Sequence, residues 1–91
     1  MQYDKFTTGQ RISVLDMRIE ELERQHAERD ILITGLKSRL NVAVRKQNQE
    51  RIEMHSSALE SMLYEQEEVE QVLRLLIAER EELLRSIPPY P

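Results

Sequence analysis

The chain has no cysteine and no tryptophan, which excludes disulfides, thiolate chemistry and cysteine-ligated zinc. Glycine is limited to Gly9 and Gly35, and proline to Pro88, Pro89 and Pro91. Sheets and tight turns need more punctuation than this, so the composition favours long helices. Aromatic residues make up 4% of the chain, too few to fill a compact core or line a deep ligand pocket. No uninterrupted apolar run approaches the ~18 residues of a membrane span, and Met1 to Gln10 has no apolar stretch flanked by basic residues. A soluble, cytoplasmic protein is the expectation. There is no phosphate loop, no nucleophile beside a plausible base and no carboxylate pair in a pocket-like context. The reading is therefore non-enzymatic, with no catalytic residues, no cofactor and no metal.

What the sequence does contain is a repeat alternating steps of three and four. In the second half it runs Leu59, Met62, Gln66, Val69, Leu73, Leu76, Arg80, Leu83 and Ile87; seven of these nine are apolar. The first half has Ile12, Leu15, Ile19 and Leu22, breaks at His26 and Arg29, and resumes at Ile33, Leu36, Leu40 and Ala43. A mean step near 3.5 keeps one helical stripe facing a partner, the requirement of a coiled-coil seam. The polar pair His26 and Arg29 reads as a layer that sets register and oligomer state at some cost in stability. A second reading of His26 is a pH switch.

Thr7, with Gln10 three residues on, forms a capping box that starts the first helix near Thr8 and leaves 1–7 as a leader. Gly35 lies within the pattern, where it costs a helix roughly 1 kcal/mol relative to alanine and suggests close packing or a kink. Between residues 45 and 57 the phase of the first repeat does not lead into the second. A hairpin turn is favoured over a continuous helix with a phase slip, although no glycine or proline marks a turn. Ser57 and Glu60 offer a second capping box, and His55, at the interruption, reads as exposed. The arms are nearly equal in length, whereas a continuous rod would exceed ~110 Å. Pro88 ends the second helix and leaves 88–91 as an extended tail, whose Pro-Pro-Tyr-Pro fits a minimal proline-rich docking pattern.

The expected fold is therefore all-α: an antiparallel helical hairpin over 8–87 that self-associates into a dimeric or larger bundle. The apolar surface near Ile31 and Leu32, and the belt from Val72 to Ala78, are wider than one seam needs and imply contact with several neighbours. The run Arg18-Ile19-Glu20-Glu21-Leu22-Glu23, followed by Ile33, Leu36 and a proline-aromatic C-terminus, loosely resembles small bacterial coiled-coil proteins of the SlyX type. That resemblance covers less than half the chain, and no residue roles are carried over from it.

Charge is distributed in blocks. The net charge is −4, yet Ile31 to Arg51 holds five basic residues and one acidic, while Ile52 to Pro91 holds three basic and nine acidic. Folding the arms together is expected to pair Lys37, Arg39, Arg45 and Lys46 with Glu53 and Glu60. The alternative use of these cations, together with Arg51, is contact with nucleic acid phosphates at a hairpin tip. Glu23 and His26 have the spacing used in carboxylate-histidine metal bundles, the weakest of the candidate chemistries. The favoured function is an assembly, scaffold or adaptor protein acting through protein-protein contacts, with itself and another protein as partners and no membrane role.

Overall fold

A computed structural model describes residues 7–87. It contains two helices, α1 (Thr8–Arg45) and α2 (Gln49–Arg85), packed side by side as an antiparallel hairpin. The molecule measures 68 × 28 × 14 Å between Cα extremes, which is about one 38-residue helix long and one helix thick. The all-α hairpin expected from the sequence is thus the observed architecture. The leader expected at Met1 to Phe6 and the extended Pro-Pro-Tyr-Pro tail lie outside the described residues.

Each end of α1 follows from local chemistry. Thr7 accepts from the Gln10 N–H at 3.2 Å, and the Gln10 side chain accepts from the Thr7 N–H at 2.9 Å. This is the reciprocal box expected from the sequence, and it satisfies two otherwise orphaned donors. The C-terminus uses a left-handed residue instead of glycine: Gln47 has φ 54°. The Gln47 N–H donates to the Val44 carbonyl and the Asn48 N–H to the Ala43 carbonyl, both at 3.0 Å. That pair of bonds is a Schellman closure, which normally recruits glycine or asparagine at the left-handed position. Asn48 then turns outward and caps α2, its side chain accepting from the Arg51 N–H at 3.2 Å. The reversal accordingly takes only Lys46, Gln47 and Asn48. It lies within the interruption expected at 45–57, and α2 begins at Gln49, upstream of the Ser57 box.

Starting α2 this early extends the second repeat backwards through His55 and Ile52. The two repeats are then symmetric about the turn, with Ala43 in register with Ile52, Leu36 with Leu59, Leu22 with Leu73 and Ile12 with Leu83. Cross-helix bonds fix this register: Arg80 donates to Asp16 at 3.1 Å and Gln66 to Asp30 at 3.2 Å. His55 is a seam residue, buried at 9% exposure, in place of the exposed position expected. It closes the layer of Leu40, where an imidazole fits between helices brought close by the turn.

Leu15, Ile19, Leu22, Ile33 and Ala43 are the buried apolar residues. Their α2 counterparts Leu59, Met62, Val69, Leu73, Leu76 and Leu83 are half-buried, as are Ile12, Leu36 and Leu40. A single hairpin covers its seam from one direction only, so no side chain is completely enclosed. Ile87 lies past the end of α2 and is 42% exposed, outside the seam in which the repeat placed it.

Gly35 neither kinks nor packs closely. α1 continues through it, and a Cβ built there meets nothing within 4 Å. Gly35→Ala is therefore expected to raise stability by about 1 kcal/mol, or roughly 4–8 °C in Tm for a domain of this size. A thermal melt followed by circular dichroism measures it, and an unchanged or lower Tm contradicts the open space around the residue.

Candidate functional site: a polar band and a basic tip

Two features depart from a plain apolar zipper. The first is a polar band halfway along the hairpin, where helical periodicity brings His26, Arg29, Gln66 and their neighbours to the interface. His26 Nε2 lies 3.0 Å from Glu70 Oε1, and Arg29 Nε lies 3.6 Å from Glu65 Oε2. Gln66, buried at 5% exposure, donates through Nε2 to the His26 carbonyl at 2.8 Å as well as to Asp30. His26 and Arg29 thus form the polar seam layer that the sequence indicated, and their partners come from the other arm. The band is incompletely satisfied: Arg29 Nη1 and Gln66 Oε1 are buried without a hydrogen-bond partner.

Unpaired buried polar atoms cost roughly 1–3 kcal/mol each. The ion pairs add little in return, since Glu70 and Glu65 are 43% and 56% exposed and such pairs contribute about 0–1 kcal/mol. The band therefore adds little net stability to the hairpin. His26 faces Glu70, and Glu23 does not join it. Among the described residues no group of three or more histidine or carboxylate side chains is arranged to hold a metal ion.

The second feature is the tip. Ser38, Arg39, Val42, Ala43 and Lys46 of α1 and its turn face Asn48, Arg51 and His55 across an open groove of about 730 Å³. Among the described residues the expected internal pairing of the basic block is absent: Lys37, Arg39, Arg45, Lys46 and Arg51 make no ion pair there, whereas Arg18, Arg29, Arg80 and Arg85 each do. Helix geometry gives the reason. Glu53 and Glu60 stand roughly 180–200° around α2 from Arg51 at 3.6 residues per turn, on the flank away from the groove, where Glu53 accepts from Gln49.

Of the basic block expected to act at the tip, Arg39, Lys46 and Arg51 line the groove, and Lys37 and Arg45 lie outside it. His55 completes it. Its place could have been found by extending the second repeat back from Leu59 by a step of four.

The fold and these features define the class: an antiparallel two-helix hairpin with a polar mid-band and a charged tip. Comparisons with protein-family models, curated proteins and solved structures give no match. Among the described residues, no helix is long and apolar enough to cross a membrane.

Proposed function

We propose that the protein is a non-enzymatic assembly, scaffold or adaptor factor that works through helix-helix contacts, with itself and with a protein partner. The observation that carries this reading is the apolar surface left over once the hairpin has closed. Ile31 is 73% exposed, Leu75 71%, Leu32 54% and Val72 41%, in addition to the half-covered seam. Isolated exposed apolar side chains are ordinary, but large ones repeated along two helices mark a contact surface. A second pair of helices laid over the hairpin would cover the open side of the seam with Leu32 and Val72, and neighbours on the outer flanks would cover Ile31 and Leu75, giving a four-helix or larger bundle.

Ile31→Lys combined with Leu75→Lys tests this without entering the seam. Sedimentation equilibrium is expected to show wild-type protein as a dimer or larger and the double variant at the monomer mass, with helical circular dichroism retained. A wild-type chain that stays monomeric at all concentrations overturns self-association. Charged residues at Leu73 and Leu76 ask a different question: both lie in the hairpin's own seam, so they are expected to reduce helicity as well as assembly.

A further inference from the structure

We infer that the groove at the hairpin tip is a binding site for a multiply charged phosphate group, a run of two or three phosphates, held by Arg39, Lys46 and Arg51 with His55 at its floor. The three cations come from the end of α1, the turn and the first turn of α2. The Schellman closure at Gln47 and the Asn48 cap bring these segments face to face. Among the described residues none of the three has an ion-pair partner, so their charge is available to a ligand.

His55 adds a donor. Most of the residue is buried in the seam and it lines the groove, while its ring nitrogens are not among the buried atoms that lack a partner. An imidazole N–H that opens on the groove can donate to a phosphate oxygen. Val42 and Ala43 make the adjoining wall apolar, which lowers the local dielectric and strengthens charge-assisted bonds.

Charge counting selects the ligand. Three formal positive charges around one groove exceed what a single carboxylate or phosphodiester neutralises, whereas consecutive phosphates match them. The groove has no phenylalanine, tyrosine or tryptophan, so it offers no large stacking platform for a base, and recognition would rest on the phosphates. The rest of the hairpin is acidic: Ile52 to Pro91 holds nine acidic residues against three basic. A polyanion would accordingly meet the tip end-on instead of lying along the helices.

The test uses the full chain and isothermal titration calorimetry with tripolyphosphate, a short single-stranded oligonucleotide and polyglutamate, each at physiological salt. Tripolyphosphate or the oligonucleotide is expected to bind more tightly than polyglutamate. Binding of tripolyphosphate alone assigns a small polyphosphate ligand, and binding of the oligonucleotide assigns a strand backbone; either outcome supports the site. Arg39→Gln with Arg51→Gln is expected to weaken binding by about 100-fold, at roughly tenfold for each charge-assisted contact. Lys37→Gln with Arg45→Gln removes the same charge outside the groove and should change affinity less than about threefold.

His55→Leu keeps the seam apolar and is expected to weaken binding, with His55→Gln restoring part of it through an amide donor. Four outcomes overturn the inference: no binding of either phosphate ligand, equal binding of polyglutamate, equal losses in the two double variants, or His55→Leu variants that are helical and bind as wild type. Self-association can fail while this site stands, because none of these residues belongs to the exposed surface around Ile31 and Leu75.

Discussion

Leu22→Ala is expected to destabilise the hairpin by about 2–5 kcal/mol, enough to unfold a substantial fraction of a small domain. Leu22 is 5% exposed and sits opposite Leu73 at a central apolar layer, directly next to the polar band. Truncation removes apolar contact and leaves a gap that two rigid helices close only in part, so a cavity cost adds to the lost transfer energy. The neighbouring layer, Ile19 with Leu76, is itself half-open and has little packing to spare. Leu32→Ala is the matched comparison: Leu32 is 54% exposed, and its loss should stay within about 0.5 kcal/mol in the monomer. Urea denaturation followed by circular dichroism measures both. Comparable midpoints for the two variants would contradict the seam assignment.

Replacing the whole polar band has the opposite expected sign. His26→Leu, Arg29→Leu and Gln66→Leu together should stabilise the hairpin by about 1–4 kcal/mol, because apolar packing replaces partly buried polar groups whose desolvation is incompletely offset. The triple change removes the two unpaired buried atoms, Arg29 Nη1 and Gln66 Oε1, and leaves Glu65 and Glu70 solvated at the surface. The same change makes the seam continuously apolar for several layers. Such a seam no longer discriminates between partners and oligomer states, so sedimentation should show additional, larger species beside a raised Tm. A lower Tm would mean that the bonds of His26 and Gln66 outweigh their burial cost. Single removal is a harsher change: Gln66→Ala leaves the cavity without new packing and should destabilise.

These two results concern positions that the sequence already distinguished. The three-four repeat is local information, since each helix presents its stripe at 3.5-residue spacing whatever its partner. Leu15, Ile19, Leu22 and Ile33 could therefore be assigned to the interface from spacing alone, and His26 and Arg29 recognised as a polar interruption in it. The Thr7–Gln10 box was equally legible because every atom involved lies within four residues. Leu73 and Leu76 were assigned to the seam on the same grounds, and their partial exposure follows from the number of helices present.

The turn was harder to read. A hairpin without glycine or proline carries no punctuation, and Gln47 adopts a left-handed φ because the Schellman bonds and the Asn48 cap repay it. Without the location of that turn, the phase between the two repeats stays broken and His55 reads as exposed. Once Lys46 to Asn48 is known as the reversal, Ile52 and His55 fall into phase with Leu59, and the layer pairing follows over the full length.

The sequence by itself determined that this protein is two amphipathic helices, which residues form their stripes and where the stripes turn polar, because periodicity, capping and helix propensity act over a few residues. Tertiary structure alone decided which residues meet. It paired His26 with Glu70 and Gln66 with Asp30, although the members of each pair are far apart in the chain. It also left Arg39, Lys46 and Arg51 without an ion pair among the described residues, although acidic residues are close in sequence. The physical reason is angular: a few residues along a helix can rotate a carboxylate to the opposite flank, so proximity in the chain says little about charge pairing until the partner helix is in place.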